Sequence, residues 1–212
     1  IGQDAILFDA GLWTPYRRKD KDGSLVPAFA RDVKNRKDYQ ELILDSEGHL
    51  ADVKKYLAEY KEAIKKRNSK IGVGGLYGCI SQTLYEFVIG MNDFMMMAYE
   101  ERDLIEEMME ESTVHFVKVT EALIDGGADF IWPADDIAFK TGLFLPPSLM
   151  KEIWVPRMAR IFEPEVNAGV PIMFHSDGKV DDVVEDLICI KINYLSLMDP
   201  VLVDYTDYQA RY

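Results

Sequence analysis

Three apolar runs in the second half of the chain each stop abruptly in polar residues. Val170-Pro171-Ile172-Met173-Phe174 runs into His175-Ser176-Asp177-Gly178, and Phe130-Ile131-Trp132-Pro133-Ala134 runs into Asp135-Asp136. Tyr194-Leu195-Ser196-Leu197-Met198 runs into Asp199. Short and almost wholly apolar, these read as strands covered on both faces. Between them the spacing turns helical. Residues 103–125 start acidic, carry Val114, Val117, Thr120 and Ile124 on one stripe, and close on Gly126-Gly127. Residues 148–168 follow Pro146-Pro147 as a second helix, which Pro156 and Pro164 are expected to kink or split. Residues 180–190 are amphipathic and predict a third.

The first half is less regular. Ala5-Ile6-Leu7-Phe8 predicts a strand ending in Asp9. Residues 13–45 are mixed, and Asp22-Gly23 after a charged cluster marks the tip of a hairpin-like insertion. Residues 46–67 repeat Leu50, Val53, Leu57, Tyr60 and Ile64 at helical spacing, and Lys65-Lys66-Arg67 suits the negative end of the dipole. Ile71-Gly72-Val73-Gly74-Gly75 reads as a strand passing into a Gly-rich turn, without the spacing of a phosphate-binding loop. Residues 81–90 read as a helix, and Met95-Met96-Met97 as adaptable packing.

Helices alternate with strands, and the crossovers are long enough for right-handed βαβ units. The fold class expected is α/β, a (β/α)8 TIM barrel. Such barrels run to about 250 residues, and this chain has 212. Barrel strands are legible near 5–8, 71–75, 129–133, 170–175 and 192–198. The expectation is one domain over residues 1–212 that lacks the opening unit of the barrel and its last two or three.

A net charge of −13 disfavours nucleic acid and anionic membrane surfaces as partners. No apolar run approaches the ~20 residues that span a bilayer. Cys79 and Cys189 are the only cysteines and are far apart, which fits a reducing, cytoplasmic compartment.

In a parallel barrel, residues just past each strand converge on one rim. Asp9, Tyr77, Cys79, Asp135, Asp136, His175, Asp177 and Asp199 would share that mouth. Carboxylates there can act as general acid or base. His175 and Asp177 can ligate a metal with a third ligand from another loop. The same carboxylates can instead cap helices. Asp135, Asp136, His175 and Asp177 are the catalytic candidates, and Tyr77, Cys79 and Asp199 the substrate-binding ones. His175 is the metal candidate. His115 reads as a surface or packing residue, His49 as solvated and Cys189 as core.

One ordered set of motifs carries a resemblance. It comprises Gly126-Gly127-Ala128-Asp129, Asp135-Asp136, Leu145-Pro146-Pro147-Ser148-Leu149, Trp154-Val155-Pro156-Arg157 and the run from Val170 to Gly178. Together these resemble the uroporphyrinogen decarboxylase superfamily, which holds true decarboxylases and cobalamin:thiol methyltransferases. The resemblance spans about residues 70–212. It implies a (β/α)8 barrel with a cleft at the carboxyl rim. The zinc methyltransferases carry His-x-Cys where this chain has His175-Ser176-Asp177, so Asp177 stands in place of the thiolate. The arginine-rich start of true decarboxylases has no counterpart, with Arg17, Arg18 and Arg31 the nearest candidates. An acidic rim repels a substrate bearing eight carboxylates. The resemblance therefore points to the methyltransferase branch, acting on a small methylated donor or methylcorrinoid. It implies zinc and a corrinoid protein as partner, with a homodimer as a possible assembly. The alternatives are a cofactor-free uroporphyrinogen decarboxylase and an inactive fragment or binding domain.

Overall fold

The computed structural model describes residues 4–9, 14–28, 32–196 and 201–212. Its centre is an all-parallel sheet of five strands in the order β1-β5-β6-β9-β10. These are β1 (Ala5–Asp9), β5 (Gly72–Gly78), β6 (Phe130–Ala134), β9 (Met173–His175) and β10 (Tyr194–Ser196). The sheet is open, with β1 and β10 at its edges. The remaining strands lie outside it. Strands β2 (Tyr16–Lys19), β3 (Leu25–Pro27) and β4 (Ile43–Leu44) form a small antiparallel sheet, turned at Gly23 with φ +83°. Strands β7 (Ala138–Phe139) and β8 (Gly142–Leu143) form a short hairpin past β6.

Helices cover one face of the sheet. After the short α1 (Arg36–Gln40), α2 (Ser46–Lys66) starts at Asp45, whose carboxylate accepts from the Gly48 N–H. Helix α5 (Arg102–Asp125) packs between α2 and α7 (Val155–Ala168). The period-2 alternation of strands sorts their side chains. Phe8 meets Tyr60 of α2, Tyr77 stacks on Phe116 of α5, and Phe174 meets Trp154 and Phe162. Leu7, Trp132 and Met173 lie on the opposite face and line a shallow pocket there.

Several expectations are corrected. The glycines of 72–75 form no turn; they lie within β5. A Cβ on Gly74 would sit 2.2 Å from the Phe130 ring, and one on Gly75 2.7 Å from Leu123, so at these two positions Phe130 on one face and Leu123 on the other fill the space a side chain would take. Residues 81–90 are not a plain helix. A turn of α3 (Ile80–Gln82) widens into a π-helical segment, Thr83–Val88, before α4 (Met91–Glu100). The helix over 148–168 divides where Pro156 removes an N–H. The turn α6 (Pro147–Leu149) passes through a π segment, Met150–Trp154, into α7, while Pro164 is carried inside α7 without a break. Residues 180–190 give a 3₁₀ turn, Asp181–Val183, and the short α8 (Val184–Cys189). Cys189 is exposed rather than core, because α8 buries Val184 and Leu187 and the helical repeat turns Cys189 to the other face. Helix α9 (Tyr205–Arg211) follows.

His49 is the other correction. It is buried, not solvated, and its Nδ1 lies 2.7 Å from Nε2 of the equally buried His115. Ser46 Oγ closes the chain at 2.7 Å from His115 Nδ1. Helix α2 lies directly on α5 here, and each imidazole satisfies the other.

Candidate functional site

Strands β6 and β9 end level with each other, with Ala134 opposite His175. The Asp135 N–H donates to the His175 carbonyl at 3.0 Å and fixes that register. Because Phe174 faces the helices, His175 projects from the opposite face. There the Trp132 ring lies edge-on to it, 6.3 Å between centroids. His175 Nε2 is 3.8 Å from Asp136 Oδ1 and 3.8 Å from Asp177 Oδ1. Its Nδ1 is 3.4 Å from Ser196 Oγ on β10. Asp136 Oδ1 also accepts from the Asp177 N–H at 2.8 Å. One ligand atom from each of Asp136, His175 and Asp177 lies within 4.8 Å of the others.

The two loops are tied together. Ser176 Oγ accepts from the Ile137 N–H at 3.1 Å and donates to the Asp177 carbonyl at 3.0 Å. Gly178 has φ +87°, and a Cβ there would sit 2.3 Å from the Ala138 carbonyl oxygen. Only glycine lets the His175 loop lie against β7 this closely.

The adjacent carboxylates have separate surroundings. Asp136 is half-buried beside His175. Asp135 is fully buried and points away, accepting from the Ser81 N–H (3.2 Å), the Gln82 N–H (2.6 Å) and Trp154 Nε1 (2.7 Å). Burial raises its pKa to about 7, and the three donors pull in the opposite direction. Asp135 thus belongs to the supports of the mouth and does not face into it.

Other sequence candidates fall elsewhere. Tyr77 is buried between sheet and helices, its hydroxyl 2.8 Å from Thr120 Oγ1 and 3.4 Å from Glu165. Period-2 alternation turns it away from the face that carries His175. Burial pushes its pKa up, as it does for the Glu165 carboxyl, which is raised to about 8. Cys79 is fully buried, and burial followed by the nearby Asp135 raises its pKa, which keeps it a thiol. Neither Tyr77 nor Cys79 joins the group around His175. Asp9 is exposed at the end of β1, also outside that group. Asp199 and Arg31 lie outside the described residues. Arg17 is bonded to the Thr14 and Tyr16 carbonyls, and Arg18 pairs with Asp32, both on the small antiparallel sheet.

Tyr85 and Gln82 lie beside the site with no counterpart in the sequence analysis, alongside Trp132 and Trp154, which stand in its quoted runs and motifs. Tyr85 is buried, and burial together with the charges of Asp135 and Asp136 raises its pKa. Gln82 Oε1 accepts from the Asp136 N–H at 3.4 Å. For Trp154 the Trp-Val-Pro-Arg motif is a signal; for Gln82, the last residue of α3, and Tyr85, in the π-helical segment that follows, nothing local distinguishes them.

The group suits a divalent cation. Nitrogen and oxygen ligands at about 2.0–2.2 Å from one metal stand about 3–3.5 Å apart, so the two 3.8 Å separations from His175 need only a small closure, and the two carboxylates, within 4.8 Å of each other, must also draw together. The donors are one imidazole and two carboxylates, with no thiolate, since Cys79 is elsewhere. Such a set accepts zinc and suits harder cations better than a cysteine-containing site does.

Comparison with known proteins agrees with this architecture. The family model for uroporphyrinogen decarboxylase (URO-D) matches residues 16–208. Methylcobamide:CoM methyltransferase MtaA of Methanosarcina barkeri is 28% identical over 131 residues, which cover 59% of this chain and 37% of the relative. The protein of that name from strain Fusaro matches equally, at 28% over 131 residues. A methyltransferase structure from Methanosarcina mazei superposes with a TM-score of 0.61 at 14% identity, over 88% of this chain and 52% of that one. The chain thus spans little more than a third of the length of the curated relatives and about half of the structural one. With the family model running over nearly its whole length, the chain belongs to the uroporphyrinogen decarboxylase (URO-D) family.

Proposed function

We propose that this chain forms part of a methyltransferase of the URO-D family, built on a (β/α)8 barrel of which the described residues show five parallel strands. In this reading Asp136, His175 and Asp177 hold a divalent metal, and a methyl group passes from a methylcorrinoid on a partner protein to a small thiol. The observation that carries it is the convergence of those three side chains at the carboxyl ends of β6 and β9. Methyl transfer to CoM by the Methanosarcina barkeri relatives supports the choice of branch.

A divalent cation bound there would lower the pKa of a coordinated thiol and make it a nucleophile near neutral pH. The chain's own residues prepare the position. Ser196 engages Nδ1 of His175 and leaves Nε2 facing the two carboxylates. Asp136 is steadied by the Asp177 N–H. Trp132 shields one side of the imidazole from water. Asp177, the most exposed of the three, stands where an incoming substrate would meet the site. Two free cysteines fit a reducing, cytoplasmic setting.

The test incubates the protein with methylcobalamin and CoM and follows loss of the methyl–cobalt absorption. Turnover is expected in the native protein, and Asp136→Ala is expected to lose more than the about 10–100-fold typical of outer-shell changes. Release of carbon dioxide from uroporphyrinogen, with no methyl transfer, would instead select the decarboxylase reading.

A further inference from the structure

Asp135 ties three elements together behind the mouth. Its backbone N–H holds β9 at His175. Its carboxylate accepts from Ser81 and Gln82 at the start of α3, and from the Trp154 indole on the π segment ahead of α7. Gln82 returns the contact, with its side-chain oxygen on the Asp136 N–H. Asp136 in turn accepts from the Asp177 N–H. One hydrogen-bonded path therefore runs from Trp154 through Asp135 and Gln82 to Asp136, and from there to Asp177.

We propose that Asp135 is a positioning residue that sets where the Asp136 carboxylate stands relative to His175 and Asp177. Its role in metal binding rests on the metal reading above; its role in geometry does not. All three partners of its carboxylate are donors, so the side chain must offer acceptors on both oxygens. Asparagine has the same shape but turns an NH₂ group towards a donor. That loses one bond and leaves a buried donor facing another. Alanine would release the start of α3 altogether.

The experiment uses Asp135→Asn, with Trp154→Phe as a milder change that removes one donor and keeps the ring packed. Two readouts are taken on protein shown to be folded by circular dichroism. In ¹H–¹⁵N correlation spectra without metal, Asp135→Asn is expected to move the Asp177 amide resonance as well as the Trp154 indole resonance. In competition with a chelator, it is expected to weaken zinc binding by about 10–100-fold, the range of outer-shell partners. Trp154→Phe is expected to act in the same direction by less. An Asp177 amide unmoved in Asp135→Asn, with zinc affinity within about twofold of native, would overturn the proposal whatever the melting temperature does. Native protein that binds no zinc would end the metal reading, while the Asp177 amide would still decide the role of Asp135.

Discussion

The three histidines of this chain fall into two kinds of site. His175 has one nitrogen against a hydroxyl and the other towards two carboxylates, at the edge of solvent. His49 and His115 face each other inside the α2–α5 contact. Burial, then the charges of His49, Lys118 and Arg17, lowers the pKa of His115 to about 3. An unfolded histidine titrates near 6.5, so below that pH the unfolded chain binds the proton that folded His115 refuses. The stability from the neutral side chain is complete above about pH 6.5 and lost as pH falls towards 3, by up to about 1.4 kcal/mol per pH unit. Asp135 and Glu165, with pKa values raised to about 7 and about 8, gain stability over the same range, so the loss is read as a difference: in thermal melts from pH 7 to 4 the advantage of native protein over the double substitution His49→Gln, His115→Gln should shrink as pH falls. Parallel curves for native and double variant would contradict the assignment. His175, Asp136 and Asp177 stand out in the sequence because all three fall within the first three residues after an apolar run. Which of Asp135 and Asp136 faces the mouth was not legible, because adjacent residues diverge according to contacts with Ser81, Gln82 and Trp154, remote in sequence. The histidine pair was illegible for the same reason, its partners being 66 positions apart.

At the scale of elements, the site depends on two loops lying in contact. The bond from the Lys179 N–H to the Phe139 carbonyl and the bonds of Ser176 hold them together, and Gly178 makes room. Gly178→Ala combines a positive φ with a backbone clash. It should cost about 1–3 kcal/mol, which for a chain of this size is a fall of several degrees in melting temperature. It should also impair metal binding, since Asp177 is the preceding residue. A melting temperature and zinc affinity both equal to native would show that the loop accommodates a side chain. The strands and long helices followed from periodicity. The π segments did not, because they arise where Pro156 and the close packing around Thr83–Val88 perturb a pattern that still reads as helical. The glycines of β5 read as a turn because nothing local shows Phe130 and Leu123 pressing on that strand.

For the whole molecule, an open parallel sheet presents β6 and β9 side by side at its centre, and the site stands on their carboxyl ends. That is where α/β folds place their chemistry. The net charge of −13 adds a field that draws cations towards such a mouth. Among the described residues no helix is long and apolar enough to cross a membrane. The alternation of helix and strand announced this architecture. Closure into a barrel is a property of strand number and tilt that periodicity does not encode. The most direct test is elemental analysis of native protein beside His175→Ala, both purified without chelator. About one divalent metal per chain in the native protein, lost in the variant, is the expected result. No metal in the native protein, or equal amounts in both, would contradict the assignment of Asp136, His175 and Asp177 as its ligands.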